Sequence, residues 1–321
     1  MTMDKKKLLF IFNPKAGKGK IRGNLVDILD VFARAGYEIT IYPTARQGDA
    51  RAAVVERVRG VYDLVVCSGG DGTLNEVVSG MMSCDTMLPI GYIPAGSTND
   101  FARSAGIADN MVAAAENIVN GTGYFYDVGK FNNEYFVYIA AFGLFTEVSY
   151  GTDQDMKNLL GHMAYILEGV KSLSAIKSYH VKVETNGRVI EDEIILGIIA
   201  NSTSIGGFKN ITGTNVLLDD GEFEVTLIRR PANLKELQDL AMALVSGKME
   251  APCMYTFKTD RLSIETAQRV KWTLDGEFGG SHDKVEIVNV RHQLQMINRK
   301  NGVDGENRKT VTAAEKIKIS I

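Results

Sequence analysis

The chain has 321 residues, 45% hydrophobic and 23% charged, with 36 basic and 39 acidic side chains and a net charge of −3. That length allows two domains and a sizeable core, and the lack of a basic excess argues against a nucleic-acid partner. The cysteines, Cys67, Cys84 and Cys253, are odd in number and far apart, so they suit a reducing cytosol better than a zinc site or a disulfide framework.

Leu8 to Phe12 is a short apolar run after Lys5–Lys7 and ends at Asn13-Pro14, so it reads as a first strand and not a signal segment. The longer apolar run Ile194 to Ala200 is too short to span a bilayer, which leaves only peripheral membrane contact. Ile21, Leu25, Ile28, Leu29 and Phe32 make a helical stripe that stops at Gly36. Tyr37 to Tyr42 is a predicted strand, and Asp49 caps a helix running through Arg59. Asp63 to Cys67 is a strand of β-branched and apolar residues, followed by Ser68-Gly69-Gly70-Asp71-Gly72-Thr73-Leu74-Asn75-Glu76-Val77. Leu74, Val77, Val78 and Met81 give that segment a helical period, and the Thr73/Glu76 spacing predicts a capping box with Thr73 as N-cap. Pro89 to Ile93 is another strand. The turn Pro94 to Asp100 and helices Phe101–Ala105 and Met111–Val119 follow, closed by Asn120-Gly121.

Strand and helix thus alternate through residue 127, the texture of a parallel sheet covered by helices. Beyond it, strand-like runs dominate: Tyr124–Phe131, Tyr135–Phe142, Tyr179–Thr185, Val189–Ala200, Phe223–Ile228, Met254–Thr259, Leu262–Glu265, Val270–Leu274 and Val285–Val290. Helices are expected at about 159–173 and 234–245. The fold class is therefore α/β plus all-β. An N-terminal parallel α/β nucleotide-binding domain (1–127) precedes a C-terminal antiparallel β-sandwich (128–298). The tail, 299–321, is a candidate edge strand returning to the first domain.

Three glycine-bearing loops fall at carboxyl ends of the early strands, where such sheets bind ligands: Asn13–Lys20, Gly69–Thr73 and Gly96–Asp100. A strand, a glycine turn and a helix N-terminus aim free N–H groups and a positive dipole end at one point, which suits phosphate. Asp71 is the exception. A carboxylate beside phosphates requires either Mg²⁺ between them or a hydrogen-bonding role in shaping the loop. Asn13–Lys20 mixes lysines with glycines but lacks the Gly-Lys-Ser/Thr of a Walker A loop. Leu274-Asp275-Gly276-Glu277 is a second acidic turn. Asp275 there is either the proton acceptor for a substrate alcohol or part of an ordinary Asp-Gly hairpin.

Gly-Gly-Asp-Gly-Thr with Leu-Asn-Glu-Val resembles the nucleotide loop of the soluble bacterial diacylglycerol kinases, relatives of sphingosine and ceramide kinases. Asn13-Pro14, Gly96–Arg103, Asp127-Val128-Gly129, Ser204–Phe208, Asp219-Asp220-Gly221 and Leu274–Glu277 follow in that family's order. The resemblance implies an ATP-dependent, Mg²⁺-requiring lipid kinase, peripheral on the cytoplasmic membrane face and homodimeric. It implies Asp275 as general base, in a charge network with Lys15 and Asp127. It implies ATP contacts from Pro14, Lys15, Ala16, Gly17, Lys18, Thr44, Gly69, Gly70, Asp71, Gly72, Thr73, Leu74, Asn75, Ser97 and Thr98. Asp71, Asp100 and Glu277 would belong to the Mg²⁺ and phosphate surroundings. A structural Mg²⁺ is implied at Asp220, Leu217 and Glu222; Leu217 departs from a ligand type there, and a plain acidic turn is the other reading. A different lipid alcohol, an NAD kinase and an inactive sensor are the competing functions. The lysine-bearing stretch Lys157–Leu167, continuing to Lys171, Lys177 and Lys182, reads either as a membrane-surface segment or as a core helix.

Overall fold

Leu8 to Ile11 are buried side by side in β1 (Lys6–Phe12), so this strand is covered on both faces, as parallel strands are. The computed structural model describes residues 5–84, 87–144, 176–205, 208–209, 216–246 and 250–299. β1 pairs in parallel with β2 (Tyr37–Pro43) and β3 (Leu64–Gly69), and β3 in parallel with β4 (Ile90–Pro94). Alternate β1 residues take opposite sides. Leu8 and Phe10 meet Ile28 and Phe32 of α1 (Ile21–Arg34) and Ala114 of α5 (Met111–Asn120). Leu9 and Ile11 share a core with α2 (Asp49–Arg57), α3 (Asp71–Met82) and α4 (Asp100–Ala105). Asn110 caps α5 by accepting a hydrogen bond from Ala113 N.

The second half is built on antiparallel pairs. Its strands are β5 (Thr122–Phe131), β6 (Glu134–Phe136), β7 (Ile139–Gly143), β8 (Tyr179–Thr185), β9 (Arg188–Ala200), the two-residue β10 (Ser204–Ile205) and β11 (Phe208–Lys209), β12 (Phe223–Arg229), β13 (Met254–Thr259), β14 (Arg261–Leu274) and β15 (Glu277–Asn298). Among the described residues, one helix, α6 (Leu234–Ser246), lies among them. Trp272 of β14 centres this core, with Phe131 and Phe142 rings 4.9 and 4.6 Å from it.

The two halves share one hydrogen-bonded sheet, because β15 joins both. It pairs antiparallel with β14 and β5, and at its end Met296 and Ile297 pair in parallel with Ile90 and Gly91 of β4. The expected boundary after residue 127 lies inside β5. The expected strand Tyr135–Phe142 is two strands, β6 and β7, since the Val137, Tyr138 and Ile139 amides turn toward Asp275. The expected strands Leu262–Glu265 and Val270–Leu274 are one, β14, with a register shift between Glu265 and Val270. The expected helix at 159–173, the lysines 157 and 171, and residues 300–321 of the tail lie outside the described residues. Among the described residues no helix is long and apolar enough to cross a membrane.

Trp272 is 1% exposed and fills the centre of the β core. Trp272→Ala should cost about 3–5 kcal/mol, the range for truncating a buried large aromatic, read as a lowered denaturant midpoint with an unchanged slope.

Candidate active site

The glycine turn departs from its predicted cap. α3 begins at Asp71 with Gly70 as N-cap, so Thr73 stands inside the first turn. Glu76 does not close a capping box. Its carboxylate accepts hydrogen bonds from Gly48 N (2.8 Å) and Ala50 N (3.1 Å), holding the start of α2. Asp49 in turn reaches back to accept from Ala45 N and Arg46 N. The positive end of α3 opens into a cleft of about 520 Å³.

Close backbone approach shapes this cleft. Gly17 has φ +54°, and a Cβ there would overlap the Ala95 carbonyl oxygen. A Cβ on Gly96 would lie 2.7 Å from the Cα of Gly70. The three glycine loops therefore touch one another. Of the expected ATP residues, Lys15, Ala16, Gly17, Thr44, Gly70, Gly72, Thr73 and Ser97 line the cleft, and so does Glu277. Pro14, Lys18, Gly69, Asp71, Leu74, Asn75, Thr98 and Asp100 do not. Leu74 is core, and Gly69 O accepts from Tyr92 Oη and Ala95 N. Asn13 and Gly96, which open two of the marked loops, and Glu76 also line it, together with Ala45, Arg46 and Gln47, which no local signal marked. Thr44, named through the family resemblance, directly precedes Ala45, Arg46 and Gln47.

Asp71 is buried and takes the hydrogen-bonding role instead of facing the cleft. It accepts from Asp100 N (3.0 Å), Phe101 N (3.4 Å) and Thr98 Oγ1 (3.4 Å), and so caps α4. Burial first, then the Asp100 charge, pushes its pKa up to about 7 against the pull of those N–H groups. Asp275 is also buried, at 4% exposure. Its Oδ2 accepts from Asn75 Nδ2 and Val137 N, both at 2.7 Å; its Oδ1 accepts from Tyr138 N (2.9 Å) and Ile139 N (3.0 Å). Burial raises its pKa to about 6, with these bonds opposing. An expected general base is thus saturated by donors. Glu277, two residues on, lines the cleft: Gln47 Nε2 donates to it at 3.4 Å, and burial, then Glu76, raises its pKa. A Cβ on Gly72 would stand 2.9 Å from Glu277 Oε1.

The expected network of Lys15, Asp127 and Asp275 is not assembled among the described residues. Asp127 is buried away from the cleft and accepts from Gly221 N (2.7 Å) and His292 N (2.8 Å). At the Asp219–Glu222 turn, Asp220 accepts from Glu222 N and pairs with Lys258 (3.1 Å), which also pairs with Glu224 (2.9 Å). An ammonium is thus one partner of the Asp220 carboxylate. Leu217 is an exposed apolar residue there, and no cluster of three metal-ligating side chains occurs among the described residues.

Comparison with known proteins covers both halves. The model of the diacylglycerol kinase catalytic domain matches residues 7–131. That of the YegS C-terminal NAD kinase β-sandwich-like domain matches 140–298. A diacylglycerol kinase of Bacillus subtilis (strain 168) is 34% identical over 295 residues, 91% of this chain and 96% of that protein. Two crystal structures from Bacillus anthracis str. Sterne, one of them of a diacylglycerol kinase, superpose with TM-scores of 0.77 and 0.71. Their identities are 29% and 26%; the matches cover 93% of this chain and 99% and 98% of theirs.

Gly96→Ala should weaken ATP binding at least about tenfold, because the two loops must part to admit a methyl group, which overpacks a tight contact. Calorimetric titration checks this, with an unchanged circular dichroism spectrum as control. A second expectation concerns Asp71. A carboxyl whose folded pKa is raised binds more protons folded than unfolded, so its contribution to stability falls as pH rises from about 4 to about 7. Asp71→Asn removes that loss, so its stability relative to the wild type should rise across this window in chemical denaturation.

Proposed function

The chain belongs to the family of the diacylglycerol kinase catalytic domain, and on that premise we propose that it transfers the γ-phosphoryl group of ATP to the hydroxyl of diacylglycerol, giving phosphatidic acid. The observation that carries this reading is the meeting of Glu277 with Gly72 at the N-terminus of α3. A phosphate-binding turn and a proton acceptor there face one cleft. In phosphoryl transfer the protein positions the partners and stabilises charge, with little covalent work of its own. The α3 amides and Lys15 hold the phosphates, with Gly17 and Gly96 letting the loops around them meet.

We assign the proton acceptor to Glu277 in place of Asp275. Each Asp275 oxygen already accepts two N–H groups, whereas Glu277 lines the cleft. Its raised pKa makes it a stronger base toward an alcohol. The site suits Mg²⁺ carried on ATP: this ion keeps waters and phosphates as ligands and needs only one or two carboxylates. Glu76 is the cleft carboxylate that would remain for it, with Glu277 kept as the base. When bound, it neutralises charge on the phosphates. A substrate embedded in a bilayer places the enzyme on the membrane surface as a peripheral protein. The cytoplasmic side and a homodimer are supported by the family resemblance alone.

The test is labelled ATP with diacylglycerol vesicles, beside vesicles of other lipid alcohols and free NAD. Phosphatidic acid is the expected product. No transfer to diacylglycerol, with transfer to another acceptor, would overturn the substrate assignment. Glu277→Gln should lower kcat by about 10²- to 10⁴-fold, the usual worth of a general base, with ATP affinity kept. Wild-type kcat should fall as pH drops through the raised Glu277 pKa, and the variant should lose that limb.

A further inference from the structure

The Leu274–Glu277 hairpin is a two-residue turn with Asp275 at φ +50° and Gly276 at φ +84°. Positive φ at both central residues defines a type I′ turn, for which Asn-Gly serves as well as Asp-Gly. The backbone alone therefore does not call for a carboxylate. What calls for one is the ring of donors. Asp275 gathers three consecutive amides from the break between β6 and β7 and the side-chain amide of Asn75 on α3, while its own N–H donates to Ile139 O at 2.9 Å. Asn75 also donates to Tyr135 O at 3.0 Å, so α3 is bound to the same break twice. Four donors on one buried side chain leave an acceptor pair as the matching chemistry; an amide would turn one donor toward them.

We propose that Asp275 is a positioning residue: it locks the hairpin to α3 so that Glu277 stands beside the phosphate-binding turn. This rests on Glu277 as the proton acceptor. The link is short in sequence, since Glu277 follows Asp275 by two residues, and it joins the base to the helix whose N-terminus faces the phosphates. Loss of the lock shifts the base relative to the alcohol, where a displacement of about 1 Å is enough to cost about 10²-fold in rate.

Asp275→Asn keeps the turn and removes the acceptor pair. Amide exchange should quicken at Val137, Tyr138 and Ile139, and kcat should fall about 10- to 100-fold, with KM for ATP changed less than about threefold and the acid limb of kcat retained. Disappearance of the limb would make Asp275 itself the base and overturn the proposal. An unchanged kcat per folded molecule would reduce it to a turn former and equally overturn it. If Asp275→Asn does not fold, Asn75→Ser removes one donor and should give the same signature at smaller amplitude; full activity there counts against the lock. A wild-type protein that phosphorylates no diacylglycerol defeats the functional reading separately, and the exchange rates then still decide whether the lock exists.

Discussion

One strand holds the molecule to a single geometry. β15 is hydrogen-bonded to β14 along its first part, to β5 along its second part and to β4 near its end, so the parallel and antiparallel regions form one ladder. A ladder slips only in whole residues, and a slip of one residue turns every side chain to the wrong face. Glu277 begins this strand, and Met296-Ile297 end it beside β4, whose exit leads into the Gly96 loop. The cleft thus inherits its width from strand register. Even the bulge between Val290 and Leu294 is tied down, because Asp127 takes the His292 amide there.

Buried carboxylates stitch the places where regular structure stops. Asp71 caps α4, Asp127 holds the Gly221 turn to β15, and Asp275 takes the amides freed between β6 and β7. Each lies far in sequence from its partners. A buried carboxylate is expensive unless donors surround it, and an interrupted strand leaves amides that are expensive unless accepted. The two costs cancel when they meet. The remaining desolvation shows as raised pKa values for all three acids.

The acidic turn at Asp219–Glu222 follows the same economy with a cation from the chain itself. Lys258 on β13 lies opposite Glu224 in the strand register and reaches Asp220 as well. Two acids and one lysine leave an excess negative charge, and burial raises the Glu224 pKa to about 7. A local reading of that turn sees carboxylates and suggests a metal. Across the ladder Lys258 supplies one positive charge to that turn.

Much of the architecture was legible from neighbours in sequence. The stripe Ile21–Phe32, its stop at Gly36 and the run Leu64–Cys67 encode their elements through period and turn chemistry, which depend on residues within about four positions. The glycine loops were legible for the same reason. Thr73 failed as a cap because Gly70 already supplied the turn, and Glu76 found better donors on α2. The donors that surround Asp275 were not legible at all, since Asn75 is 200 residues away and Val137 is 138 away. Local sequence determines which elements form and where loops open. Which carboxylate is consumed by the fold and which faces the cleft is decided only by strand register, because that alone brings donors from distant segments within hydrogen-bonding distance.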